Sequence, residues 1–270
     1  LTNVLNKKNG GDFHASLDLE VLRSSITLLY GAGKGFELGA ELPFYFVWRG
    51  LLDDTILDVE EFIGARSFRM KSSQFKFDYQ LSKGGRTFFA GRENSLGVGD
   101  ISLWIKRSII AADHGDTLSL PSLSVRGGLK APTGDSSRAL GSGEWDFSVG
   151  LLIEKHLWRF SFYFDADLIF PGNPFKEVGL DAEPFYTLVW SWEIKATRGL
   201  SFNLQMDMVE KPFRNVNFDF LDNRIFNVLF GVSYATKRGV IIRAGIVEDI
   251  FASEQESADV SILISLAKRF

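Results

Sequence analysis

Apolar side chains in this chain recur at every second position over long segments, and no other feature limits its fold so strongly. In Phe36 to Trp48 one face reads Phe36, Leu38, Ala40, Leu42, Phe44, Phe46 and Trp48. The other reads Glu37, Gly39, Glu41, Pro43, Tyr45 and Val47. In Trp158 to Phe170, Trp158, Phe160, Phe162, Phe164, Ala166, Leu168 and Phe170 oppose Arg159, Ser161, Tyr163, Asp165 and Asp167. Leu200, Phe202, Leu204, Met206 and Met208 likewise oppose Ser201, Asn203, Gln205 and Asp207. A period of two belongs to the pleated strand, whose successive side chains point to opposite faces, and not to the helix. The longest apolar run, Leu42 to Trp48, falls well short of the roughly 18 residues that a transmembrane helix needs.

Further segments of this kind are Phe13 to Val21, Ile101 to Ile109, Trp145 to Glu154, Tyr186 to Lys195, Phe226 to Tyr234, Val240 to Val247 and Val260 to Phe270. Ser24 to Tyr30 and Ser122 to Lys130 are weaker members. Their lengths, about ten residues, match a tilted strand crossing a bilayer. Short turns at Gly31 to Gly35, Ala112 to Asp116, Lys155 to His156, Ala196 to Gly199 and Thr236 to Gly239 alternate with longer links. Those links are Arg49 to Gly97, Pro132 to Gly143, Pro171 to Glu183, Val209 to Asn223 and Asp249 to Ser257. Short connections at one end and long ones at the other predict an all-β, closed, antiparallel up-and-down transmembrane barrel. The count is about 12 strands if Lys71 to Arg92 is an extracellular β-hairpin, and 14 if its arms cross the membrane. Leu52, Ile56, Val59 and Phe62 recur at helical spacing, which predicts a short helix over Leu51 to Gly64 in the largest loop. Residues 1–12 are expected to be an N-terminal periplasmic or lumenal segment and 13–270 the barrel, with 49–97 an extracellular insertion. Pro43, Pro121 and Pro184 lack the N–H a ladder needs, so they are expected near rims or bulges.

Alternation does not by itself say which face meets lipid. A barrel of about twelve strands is too wide for one layer of side chains to fill, so its polar face should line a solvent-filled lumen. The rival is a soluble β-sandwich, with the aromatics packed between two sheets. Its outer faces would carry plentiful Lys, Glu and Thr, whereas the polar faces here carry Gly, Ser, Asn, Tyr and mixed charge. Closure also abolishes the edges that a sandwich must protect.

Composition narrows the function. With 45% hydrophobic and 24% charged residues the chain is not disordered, and a net charge of -4 with a pI of about 5.5 argues against nucleic acid as a partner. Cysteine is absent, which removes disulfides and thiolate chemistry. The chain opens on Leu1, and Leu1 to Gly11 lacks the apolar core of a signal peptide, so processing is expected to have occurred already.

At the other end Val260, Ile262, Ile264 and Leu266 alternate, and Phe270 keeps their parity. This resembles the C-terminal recognition signal of bacterial outer-membrane proteins, with Lys268 in place of the more usual apolar residue. It implies the barrel assembly machinery as a partner, besides outer-membrane lipid. Three stretches extend the likeness: "GFELGAELPF" at Gly35 to Phe44, "GVGDISL" at Gly97 to Leu103 and "KAPTGDSSRALGSGEWDFSVG" at Lys130 to Gly150. With the strand pattern they resemble the outer-membrane transporter family associated with the meta-pathway of phenol degradation, and an allied uncharacterised outer-membrane family. The first hairpin here is shorter than that family's. The resemblance implies passage of small molecules, hydrophobic compounds among them, across the outer membrane. Read from its residues alone, the Pro132-Thr133-Gly134-Asp135 stretch is a turn: Pro132 ends a strand, and Thr133 and Asp135 can bond their own backbone.

By parity the lumen should receive Asp18, Glu20, Glu37, Glu41, Asp146, Asp165, Asp167, Glu193 and Asp207. The bases expected there are Lys106, Arg126, Lys130, Arg159, Lys195 and Arg243. Segregated on facing walls they would create a transverse field; paired, they would narrow or shut the pore. No cofactor or metal is implied, because His114 and His156 lack companions. His14, Ser16 and Asp18 share a strand face, as a lipolytic pair would, but i and i+2 spacing orients His and Ser poorly for catalysis. No enzyme is expected. A channel or facilitator, a closed structural barrel whose loop binds a partner, and a lipid-modifying enzyme remain the three readings, in that order.

Overall fold

The computed structural model describes residues 2–10, 12–50, 77–112, 120–138, 140–213, 224–249 and 258–270. They form one antiparallel sheet of fifteen strands. In chain order these are β1 (Thr2–Gly10), β2 (Phe13–Gly33), β3 (Phe36–Trp48), β4 (Asp78–Lys83), β5 (Arg86–Ala90), β6 (Ser95–Val98), β7 (Ile101–Ile110) and β8 (Ser122–Ala131). The remainder are β9 (Asp146–Leu157), β10 (Phe160–Phe170), β11 (Phe185–Lys195), β12 (Leu200–Val209), β13 (Ile225–Ala235), β14 (Val240–Asp249) and β15 (Ala258–Lys268). No helix among the described residues is long and apolar enough to cross a membrane. The helix expected over Leu51 to Gly64 lies outside the described residues.

From β7 to β15 each strand pairs with its successor, while β3 pairs with β2 on one edge and with β7 and then β6 on the other. Pro43 falls at the break between those last two partners, where its missing N–H leaves no gap in a ladder. Pro121 and Pro184 stand just before β8 and β11. At one end the β2–β3, β9–β10, β11–β12 and β13–β14 connections are short, as at the two-residue turn Trp158-Arg159, where Trp158 takes a φ of 55°, while β7 and β8 are joined by the longer stretch 111–121. That turn lies beyond the expected Lys155 to His156, which belong to β9.

The first three strands differ from the expectation. Residues 2–10, expected to lie apart from the sheet, form β1 and pair with β2 along its whole length and with β15 at Thr2, Asn3 and Val4. Phe13 to Val21 and Ser24 to Tyr30, expected as two strands, are one strand of 21 residues. Its first half carries β4, whose hairpin with β5 has arms of 6 and 5 residues, shorter than the 9–11 a membrane crossing takes. Below Thr2 the seam between β2 and β15 is open: Leu22 to Gly33 and Ile262 to Lys268 each have one edge without a strand partner among the described residues.

Register fixes the faces. From β3 to β15 one face carries Leu38, Ile105, Val149, Phe162, Phe202, Phe230 and Ile264, all solvent-exposed on the outside of the sheet. Ile262, Ile264 and Leu266 share this outer face, and Phe270 is fully exposed. Large apolar groups therefore point away from the protein, the reverse of a sandwich, where they would meet across two layers.

In β2 the apolar side changes face at Val21/Leu22 without a bulge. Leu22, Ile26, Leu28 and Tyr30 point outward with Phe44 and Leu42, but Phe13, Ala15, Leu17 and Leu19 point inward with Arg23, Val47 and Tyr45. There they build two buried clusters. One joins Leu17 and Leu19 to Val47 and Leu140; the other joins Phe13 and Ala15 to Leu81, Leu180 and Phe213. Leu140, Leu180 and Phe213 come from the long links, so at these residues the links turn inward onto the sheet.

This face change predicts unequal costs for similar truncations. Leu19→Ala, at a site 3% exposed, should destabilise by about 2–5 kcal/mol, and Leu28→Ala, 68% exposed, by less, because it leaves no cavity inside the protein. Urea unfolding of both variants in detergent micelles measures the difference.

Candidate functional site

The inner face gathers the ionisable residues. Register aligns Glu37 with Lys106 and Lys106 with Arg126, Lys130 with Asp146, and Asp165 through Val189 with Asp207. Of the two arrangements the sequence left open, the side chains adopt the paired one. Lys106 meets Glu37 at 2.8 Å. Arg126 donates Nη2 to both oxygens of Asp165 at 2.9 Å and also bonds Asp167. Lys130 meets Asp146 at 2.5 Å and Asp100 at 3.4 Å, and donates to Ser142 Oγ at 2.8 Å. Arg23, overlooked while β2 was read as two strands, bonds Glu41 and reaches the Tyr45 hydroxyl at 3.3 Å.

Charge pairs thus occupy β2, β3 and β7 to β10, while the neighbouring wall is bound by neutral groups. Ser191 donates to Gln205 at 3.0 Å, Gln205 to Asp207 at 2.8 Å, and Asn203 to Ser233 at 2.8 Å. Tyr163 donates to Glu193 at 3.1 Å. Lys195 and Arg243 share the inner register, opposite Ser201 and Ser233 respectively, and are exposed. His156 sits within β9, where Glu154 and Ser161 (2.7 Å) flank its ring.

Three expected lining residues lie elsewhere. Asp18 and Glu20 stand on the opposite face of β2 from Arg23 and are buried, because in that half-strand it is the apolar residues that point inward. Arg159 occupies the β9–β10 turn, its guanidinium 5.1 Å over the Trp158 ring. Ser16, on the face of Asp18, donates to Asp78 of β4. Among the described residues no group of His, Cys, Asp or Glu could hold a metal ion.

A cavity of about 440 Å³ opens on the charged wall, bounded by Glu41, Trp104, Arg126, Lys130, Asp146 and Asp167. Trp104 lies flat across Gly39; a Cβ on Gly39 would stand 2.0 Å from the indole. Gly150 similarly leaves room for Asp167.

The two glycine-rich motifs meet at the long-loop end. Asp100 of "GVGD" accepts N–H bonds from Gly134 (2.9 Å) and Ser142 (2.8 Å), and Thr133 Oγ1 bridges Ile101 N and Gly99 O. A Cβ on Gly141 would fall 2.4 Å from the Asp100 carboxylate. The loop between these bonds presents Leu140, 3% exposed, to the cluster on β2 and β3. Asp135, expected to bond its own turn, does so through Ser137 and Arg138, which hold its carboxyl down at about 2.

The fold is of a recognisable class. It is similar to the crystal structure of the COG4313 outer membrane channel from Pseudomonas putida F1, with a TM-score of 0.57 over 98% of this chain and 89% of that one, at 13% identity. At that identity the likeness is one of fold. The chain belongs to the family of proteins of unknown function DUF3187, whose model matches residues 11–270. No curated protein sequence matches it.

The Asp100 latch is testable by pH. Burial alone would raise this carboxyl, but the N–H groups of Ser142 and Gly134, with Lys130 and the Ser142 hydroxyl, outweigh it and hold it below its ordinary 3.8. A depressed carboxyl stabilises the fold above its unfolded value and loses that contribution as pH falls through its folded one. The latch should therefore stay intact at neutral pH and weaken only below 3.8. Asp100→Asn should weaken it by about 1–3 kcal/mol at neutral pH, read as faster amide exchange at Gly134 and Ser142, and by less once the wild-type carboxyl is itself protonated.

Proposed function

We propose that this protein is an outer-membrane channel or facilitator through which small molecules pass by diffusion along a polar, charged lumen. The observation that carries the reading is the sheet's two-sidedness: exposed aliphatic and phenylalanine side chains outside, hydrogen-bonded ions and amides inside. Lipid is the medium in which such an outer face is stable.

The pairings support a barrel of twelve wall strands. Starting at β2 and passing through β3, β7 to β15 and β1, hydrogen-bonded neighbours return to β2; β4, β5 and β6 stand outside this circuit. The long links then lie on the extracellular side, and Ile262, Ile264, Leu266 and Phe270, with Val260, serve as the signal for the assembly machinery. The solute is a small molecule, with hydrophobic compounds included on the family resemblance.

One observation favours the second reading, a closed barrel: Leu140, Leu180 and Phe213 fold inward against β2 and β4. Reconstitution decides between the two. Liposomes containing folded protein should swell in an isotonic sugar or amino acid solution and conduct in planar bilayers. Neither swelling nor current, from protein shown to be folded, would leave the closed barrel.

The outer face supplies a second check. Val149→Arg on the lipid side should cost about 2–4 kcal/mol if near mid-bilayer, and Ser148→Arg on the lumen side much less. Equal costs in vesicle unfolding experiments would contradict the assignment of faces.

A further inference from the structure

Among the described residues the inner wall carries more carboxylates than cations, and the excess falls along one row of register neighbours. Arg126 on β8, Asp167 and Asp165 on β10, and Asp207 on β12 stand in successive register: Arg126 opposes Gly150, Gly150 opposes Asp167, Asp165 opposes Val189, and Val189 opposes Asp207. Beyond Arg126 the row continues through Lys106 and Glu37, which pair with each other, so it holds four carboxylates and two cations. Arg126 is committed to Asp165 and Asp167, whose side chains are 27% and 16% exposed. Asp207 is held instead by the Gln205 amide, a neutral donor. The same bias recurs one level up, where Lys130 serves both Asp146 and Asp100.

Pairing lowers the local cost of these charges without removing their sum. In a water-filled passage bounded by low-dielectric walls, the unbalanced charge focuses field lines and raises the local concentration of the opposite ion. Carboxylate rings are the usual device of cation-passing pores. We propose that the passage discriminates by charge, admitting cationic small solutes in preference to anionic ones, with Asp165, Asp167 and Asp207 as specificity-determining residues and Arg126 as the group that positions the first two.

The inference rests on the channel reading, and its test separates the two. Folded protein is placed in a planar bilayer under a tenfold KCl gradient, while swelling of liposomes in a neutral sugar reports passage independently of charge. The wild type should show a potassium-to-chloride permeability ratio of about three or more. Asp207→Asn should lower it about twofold at unchanged sugar flux, and it leaves the ion pairs of Arg126 intact, so the folded wall survives. Asp165→Asn combined with Asp207→Asn should bring the ratio to about one or reverse it. Current with a ratio at or below one in the wild type, or a ratio indifferent to Asp207→Asn, overturns the charge discrimination and leaves the channel reading standing. Absence of both current and sugar flux from folded protein overturns both.

Discussion

A strand satisfies its N–H and C=O groups through its neighbours, so in an extended sheet the side chains alone decide which medium each face can meet. Everything observed here depends on that division being kept in register. A slip of β10 by one residue against its neighbours would carry Phe160, Phe162 and Phe164 inward and Asp165 and Asp167 outward. Between β8 and β15 the pairings run without a shift, and the inner face stays polar through Asp167, Glu193, Gln205 and Ser233. Cross-strand ion pairs add to this constraint. Arg126 can meet Asp165 and Asp167 only if β9, which lies between their strands, places Gly150 at the crossing.

β2 obeys the same rule at each end with opposite outcomes. Its lower half borders β3 in the wall, and its apolar residues face out. Its upper half carries β1 and β4, and its apolar residues face in, where Leu140, Leu180 and Phe213 cover them. One continuous backbone thus joins two kinds of burial, against the surrounding medium and against protein. The Asp100 latch belongs to the second kind, since it fixes the loop that delivers Leu140. In the proposed barrel, the described parts of the links at the long-loop end thus pack onto the sheet through Leu140, Leu180 and Phe213.

Much of this was legible in the residues. Strands β3 and β7 to β15 follow from period-two alternation, because each has one predominantly apolar face, interrupted only by such residues as Arg107, Lys155 and Glu248, and the period tolerates errors of a residue or two at the ends. β1 was not legible: "TNVLNKKNG" has no alternating apolar face, and its strand conformation comes from pairing with β2 and β15. Asp18 and Glu20 were misplaced for a different reason. Alternation reports which residues share a face but not which side that face takes, and a strand whose apolar side switches at Val21/Leu22 defeats any inference from polarity. Reading Phe13 to Tyr30 as one strand would have exposed the conflict, since Leu19 and Arg23 then share a side. Asp100 and Lys130 lie in two separate stretches of sequence, and nothing local to either says that they meet.

The inner glycines bear on how wide a passage such a sheet can keep. Glycine weakens a strand, because it has no side chain to pack and loses more backbone freedom on folding. Here Gly39 lets the Trp104 indole lie along the wall, and Gly150 does the same for Asp167. Side chains that lie flat over a neighbour's backbone occupy the wall; the same side chains standing upright would occupy the space between walls. A larger residue at either glycine would push Trp104 or Asp167 toward the cavity bounded by Glu41, Arg126 and Lys130. In the proposed barrel, the glycines thus keep these side chains along the wall and out of the enclosed space.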